Sequence, residues 1–140
     1  MNFKAIRKYK NSGTVFLAAD NNLRQETKVI PDLPGVYMFS SVKGKHDILQ
    51  YVGSSGSMQQ NGKFKGQMMR GRINNKMNSK QTRAQFFNAY FKKEDIDFIR
   101  IDWYNTYDDE YFDLPKYVEA CMLQEYISLF GKLPPWNNSF

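Results

Sequence analysis

The chain has little cysteine, little histidine and no long apolar run. Among its 140 residues Cys121 is the single cysteine and His46 the single histidine. One thiol excludes a disulfide framework, and it also excludes a structural zinc site built on several thiolates. No stretch approaches the ~18 apolar residues that a membrane-spanning helix needs. The opening MNFKAIRKYK has no apolar run behind it, so no signal peptide is expected. A small cytoplasmic protein with no membrane partner is the expectation. Hydrophobic residues make up 41% of the chain and aromatics 16%, which excludes disorder and supplies a real core. At this length a single domain is expected, since domains most often run to about 100–150 residues.

Acid is also missing over a long interval. From Ile48 to Lys93 there is no Asp or Glu, while Lys63, Lys65, Arg70, Arg72, Lys76, Lys80, Arg83, Lys92 and Lys93 all fall there. The next segment reverses sign: Glu94, Asp95, Asp97, Asp102, Asp108, Asp109, Glu110 and Asp113 stand against Arg100 alone. A second basic cluster, Lys4, Arg7, Lys8 and Lys10, opens the chain, and the net charge is +6. Two readings stay open. The runs are a solvated basic face beside a solvated acidic loop, or the basic segment touches phosphate and the acidic one repels it elsewhere.

Turn residues and periodicity divide the chain. Residues 1–30 are an N-terminal extension with one possible strand, Thr14 to Leu17, between Ser12-Gly13 and Asp20-Asn21-Asn22. Residues 35–40 and 48–53 read as strands around a turn with Gly44 at its middle. A hairpin centred on Gly44 sets Tyr37 opposite Tyr51 and Phe39 opposite Leu49. Residues 54–66 are a polar, glycine-rich loop. A short helix is expected over 67–77, weakened by Gly71, and a second over 84–93. Residues 95–104 alternate, with Ile99, Ile101 and Trp103 on one side, as a strand does. Asp113 is a candidate cap and Pro115 a first-turn residue for a helix that ends at Phe130, before Gly131. The fold class is therefore α/β (α+β), with a small antiparallel or mixed three-stranded sheet flanked by helices.

On a wheel of ~100° per residue the last helix carries two acids toward its apolar arc. Glu119 falls inside the arc, close to Tyr126 and Phe130. Glu125 falls at its edge, between Cys121 and Val118. An acid on a buried face costs several kcal/mol unless it is paired or coordinated, so each is a partner of a base or a metal ligand. Glu119 lies in the first turns, where the helix dipole and solvent accommodate it. Glu125 has no such support and is the better functional candidate.

Gly35-Val36-Tyr37 and Tyr51-Val52-Gly53 on paired strands, Arg72 within Met69-Arg70-Gly71-Arg72-Ile73, and Glu125 leading to Pro134 and Asn137 form an ordered set. Together they resemble the GIY-YIG nuclease superfamily, with valine for isoleucine in both tripeptides. The resemblance covers about residues 31–138, which it marks as a nuclease domain. It departs from the family in a longer loop between Gly53 and Arg72 and in Lys76, where many members carry His or Tyr. His46 in the hairpin turn matches no family position.

The resemblance implies an endonuclease that hydrolyses DNA phosphodiester bonds with Mg²⁺ or Mn²⁺. Glu125 would hold the metal, since Mg²⁺ keeps several waters and accepts one or two carboxylates. Arg72 would hold the phosphate through its planar fork. Tyr37 and Tyr51 would position or deprotonate the attacking water, with Lys76 a further base or phosphate ligand. Asn137 would orient the site through its amide. Lys63, Lys65, Arg70, Lys80 and Arg83 are the expected DNA contacts. Target choice would come from the extension, from a homo-oligomer or from a separate specificity partner. A nucleic-acid-binding module of the same fold without catalysis is the alternative.

Overall fold

The computed structural model describes residues 1–140. The fold is α+β, built on one antiparallel sheet. A 3₁₀ turn, Lys4–Ile6, precedes strand β1, Ser12–Leu17. A helical turn α1, Leu23–Glu26, and a second 3₁₀ turn, Thr27–Val29, lead to the hairpin of β2, Gly35–Lys43, and β3, His46–Ser55. A small ribbon follows, of β4, Ser57–Met58, and β5, Phe64–Lys65, and then the short helix α2, Met69–Ile73. Helix α3, Arg83–Lys93, strand β6, Phe98–Asn105, and helix α4, Pro115–Phe130, complete the order. No helix is long and apolar enough to cross a membrane.

The main sheet has four strands in the order β1-β6-β2-β3, every pair antiparallel. The expected three strands are β2, β3 and β6. The fourth is β1, from the extension, which pairs along its full length with β6, from Ser12 against Tyr104 to Leu17 against Ile99. Its partner lies far along the chain, and no local pattern could name it. Residues 1–30 thus complete the sheet rather than precede it.

The hairpin is tighter than the reading centred on Gly44. Lys43 pairs with His46, leaving Gly44 and Lys45 as a two-residue turn in which Gly44 has φ +56°. The register then shifts between Phe39 and Ser40, where Gln50 is the extra residue of a bulge. Tyr37 therefore faces Gly53, and Phe39 faces Tyr51, instead of Tyr51 and Leu49.

Both faces of the sheet are covered, and β2, the inner strand of the hairpin, is buried from Gly35 to Ser41. On one face Tyr37, Phe39, Ile99, Ile101 and Trp103 pack with Met69 and Ile73 of α2 and Phe87 of α3. On the other, Val36, Met38 and Val52 pack with Val118, Met122, Leu123 and Tyr126 of α4. Phe3, Ile6 and Tyr9 of the N-terminal segment close that second core.

The helix ends follow their sequence signals in part. Thr82 and Gln85 form a reciprocal capping box at the start of α3. Gly131 takes the left-handed conformation after α4, with φ +69°. Asp113 does not cap α4. The cap position is Leu114, and the Asp113 carboxylate instead accepts the Tyr9 hydroxyl at 2.6 Å and meets Lys8 Nζ at 2.6 Å. The extension competes for that acid and wins it.

Candidate functional site

The tyrosine pair comes first, because the strands place it. The bulge at Gln50 removes direct opposition, yet Tyr37 and Tyr51 still share one sheet face. Their ring centroids are 6.2 Å apart with planes 29° from parallel, and Phe39 stacks on Tyr51 at 5.3 Å. Gly53 is what makes room: a Cβ there would lie 2.7 Å from ring atoms of both tyrosines. Gly35 has a similar reason, since a Cβ would meet the Tyr104 carbonyl oxygen at 2.1 Å. Both tripeptide glycines are thus required by close approach.

The two tyrosines differ in access. Tyr51 is half-buried, and Tyr37 is sealed, its hydroxyl without a hydrogen-bond partner. Burial pushes the Tyr37 phenol up to about 12, against the opposing charges of Arg83 and Arg72. The unfolded chain has its tyrosines near 10. Below pH ~10 both states keep the proton; between ~10 and ~12 the unfolded state loses it first. Folding stability is therefore expected to fall as pH rises through that window, by roughly 2–3 kcal/mol from this residue. Urea midpoints of wild type and Tyr37→Phe between about pH 9 and 12 check it, and a common slope for both proteins would refute the assignment.

Asn137 acts on the Tyr51 strand by a short route. Its side-chain oxygen accepts the Val52 N–H and its amide donates to the Val52 carbonyl, each at 2.9 Å. One side chain thus serves as a neighbouring strand would, on the open edge of β3. The Trp136 N–H bonds the Gln50 carbonyl at 2.8 Å, beside the bulge. The amide of Asn137 is spent on positioning Tyr51, not presented to a ligand.

Arg72 lies exposed on α2 and lines a cleft of about 610 Å³. The other walls include Ser54, Ser55 and Gly56 after the tyrosine strand, Lys65 of the ribbon, and Lys116 of α4. Behind this wall lies Glu119, 6% exposed. Its Oε2 accepts the Ser54 hydroxyl at 2.8 Å and meets Lys116 Nζ at 3.2 Å, while Oε1 accepts no hydrogen bond. Glu119 does not line the cleft itself and meets it only through Ser54 and Lys116, which do.

Glu125 faces elsewhere. Its two oxygens accept the backbone N–H groups of Lys4 and Ala5 at 2.8 and 2.9 Å. There it caps the first 3₁₀ turn, where a carboxylate is favoured by the free N–H groups. At ~100° and ~1.5 Å per residue it lies about 9 Å along the helix from Glu119 and a third of a turn away. The wheel identified two acids on the inner half of α4 but not which partner each would find. Ser54 and Lys116 are the residues that sequence reasoning missed; Lys116 stands one turn before Glu119, and that spacing was the available signal.

The expected DNA contacts divide in the same way. Lys63, Lys65, Lys76 and Lys80 are exposed, and Lys65 reaches the cleft. Arg70 is exposed as a residue, but its Nε donates to the Ile30 carbonyl at 2.8 Å and ties α2 to the preceding loop. Arg83 is not on the surface at all: it is 3% exposed, the first residue of α3, with its guanidinium over the Phe39 and Tyr51 rings.

No family model, no curated protein and no solved structure matches the chain. The arrangement itself comprises a basic cleft lined by Arg72, Lys65 and Lys116, with the Glu119 carboxylate bound to two of its lining residues, Ser54 and Lys116. The tyrosine pair does not line this cleft: it packs on the α2 and α3 face of the sheet, whereas α4 packs on the other.

Proposed function

We propose that this chain is a divalent-metal-dependent endonuclease acting on DNA, and that Glu119 rather than Glu125 serves the metal. The observation that carries the reading is the basic cleft of Arg72, Lys65 and Lys116, backed by the Glu119 carboxylate through its contacts with Ser54 and Lys116, at the end of the strand bearing Tyr51. The GIY-YIG resemblance of the sequence landmarks supports the nuclease class and assigns the metal to Glu125 instead.

The donor set suits a hard cation only of the Mg²⁺ or Mn²⁺ kind. No cluster of three or more metal-ligating side chains exists in the chain. Mg²⁺ usually keeps several waters and takes one or two carboxylates with substrate phosphates, so one acid with a free oxygen is sufficient. When bound, such an ion supplies charge stabilisation for the departing oxygen.

The protein's own groups do the rest. Arg72 grips the phosphate by two parallel N–H bonds, with Lys65 and Lys116 adding point charge. Lys116 and Ser54 hold Glu119 by one oxygen and fix its rotamer. Tyr51, half-buried, orients the attacking water. Tyr37, sealed and with its phenol raised to about 12, braces Tyr51 rather than removing a proton. The helix expected over 67–77 ends at Ile73, so Lys76 is not one turn along it from Arg72; it lies exposed beyond α2, bridged to Thr82, as a further phosphate ligand.

Supercoiled plasmid tests this. With Mg²⁺ or Mn²⁺ the wild type is expected to give nicked or linear product that EDTA prevents, and Arg72→Ala is expected to lose at least about a hundredfold of the rate. An intact plasmid with either metal, from folded protein, would refute it. The capped state of Glu125 favours a second reading, a nucleic-acid-binding module without catalysis. In that case salt-sensitive DNA binding persists without cleavage. Target choice on either reading falls to a second copy of the chain or to a separate specificity partner.

A further inference from the structure

Phe112 is the most exposed phenylalanine of the chain, at 67%. Its ring meets Tyr107 edge-on at 5.6 Å, and Tyr107 meets Phe64 of the β4–β5 ribbon edge-on at 4.8 Å. Phe64 and Tyr107 are each part-exposed, so all three rings of the row can be reached from solvent. The row adjoins the cleft at both ends. At one end Phe64 packs on Gly56, where a Cβ would meet its ring at 3.2 Å, and Gly56 lines the cleft. At the other, Leu114 lines it two residues past Phe112.

The row is also fixed in place. Tyr107 and Phe112 form an antiparallel bridge, and inside it the Asp108 N–H bonds the Tyr111 carbonyl at 2.8 Å. The Asp108 carboxylate turns in to accept the Glu110 and Tyr111 N–H groups at 2.9 Å each. Asp109 and Glu110 are left exposed at the tip of this turn. The Phe64 end is basic instead: Phe64 stands between Lys63 and Lys65, both exposed, and Lys65, Arg72 and Lys116 line the cleft beside it. A phosphate backbone is drawn to the lysine end and repelled from the turn tip. Accessible rings beside a basic groove suit a single strand of nucleic acid, whose bases stack on the rings while the lysines follow the phosphates. A duplex stacks its bases on one another and offers the row none of them. An apolar protein surface would gain from the rings but not from the lysines.

We propose that Phe64, Tyr107 and Phe112 form a stacking platform for unpaired bases of a DNA strand whose phosphate lies in the Arg72 cleft. This deepens the proposed function and rests on its nucleic-acid reading, not on cleavage. The platform selects DNA structure rather than sequence, since every base offers a ring face. The substrate class it implies is a single strand, or the unpaired stretch of a duplex.

Fluorescence anisotropy with the full chain tests this, in EDTA so that no strand is cut. The probes are labelled oligo(dT), an abasic strand of equal length and a blunt duplex. Wild type is expected to bind oligo(dT) at least about tenfold more tightly than either other probe. Phe112→Ala empties no core, because the ring is exposed, and circular dichroism checks its fold. It is expected to lose about tenfold in affinity for oligo(dT), with abasic binding and the salt slope unchanged. Phe112→Leu, apolar but without a ring, is expected to lose nearly as much, and Phe112→Trp to bind as wild type does. Lys65→Ala is expected to lower the salt slope by about 0.7 instead. Wild-type affinity for oligo(dT) in Phe112→Ala or Phe112→Leu overturns the platform, and so does a duplex bound as tightly as the single strand. An RNA strand bound more tightly than its DNA counterpart overturns the assignment to DNA. Wild type that binds none of the probes overturns the platform and the nucleic-acid reading together. Ring-dependent binding by a protein that leaves DNA intact with Mg²⁺ or Mn²⁺ defeats the nuclease reading alone and leaves the platform standing.

Discussion

Glu119→Gln is expected to lower metal-dependent plasmid cleavage by about 10²–10³-fold, the equivalent of roughly 3–4 kcal/mol of lost charge stabilisation. The amide keeps the volume and can still accept the Ser54 hydroxyl, so the helix and the cleft are expected to stay folded. Glu125→Gln is expected to behave oppositely. Its carboxylate accepts two backbone N–H groups of the N-terminal turn, and an amide can accept only on one side. The expected cost is about 1–3 kcal/mol of stability, with the cleavage rate of the folded fraction unchanged. Cleavage rates and urea midpoints of both variants decide between the two acids. Loss of cleavage in Glu125→Gln with retention in Glu119→Gln would return the metal role to Glu125, as the family resemblance implies.

Phe3→Ala is expected to cost about 3–5 kcal/mol, out of a total stability of ~5–15 kcal/mol for a domain of this kind. Phe3 is wholly buried in the core between α4 and the sheet, with Ile6 and Tyr9 beside it. The cavity left by a phenyl ring there cannot collapse easily, because the sheet behind it is fixed by strands on both sides. A fall of about 10–15 °C in thermal midpoint is the expected readout. An unchanged midpoint would mean that the N-terminal segment does not pack as described. The prediction separates a true extension, which could be altered without consequence, from a segment that completes the domain.

Periodicity and turn residues are local, and what they encode was legible. The strand alternation at Ile99, Ile101 and Trp103, the hairpin around Gly44, the helix ending at Gly131 and the apolar face of α4 all follow from neighbouring residues. So does the GVY…YVG pair, whose glycines have no room for a side chain beside Tyr104 and the two rings. The hairpin register was less legible. A bulge at Gln50 depends on how β3 meets its neighbours, and it moved Tyr51 from opposite Tyr37 to opposite Phe39. Asp113 looked like a helix cap until Lys8 and Tyr9, remote in sequence, took it.

By itself, then, the sequence determined the α+β class, the principal strands and helices and the acid-free basic stretch. Tertiary structure alone decided that residues 12–17 supply a fourth strand and that the first nine residues close the second core. It decided that Glu119 meets Ser54 and Lys116 while Glu125 caps the N-terminal turn, and that Arg83 lies against aromatic rings instead of on the basic surface. The physical reason is the same in each case. Propensity and amphipathicity act over a few residues, whereas the partner of a charge or a strand edge is set by contacts between segments up to 121 positions apart.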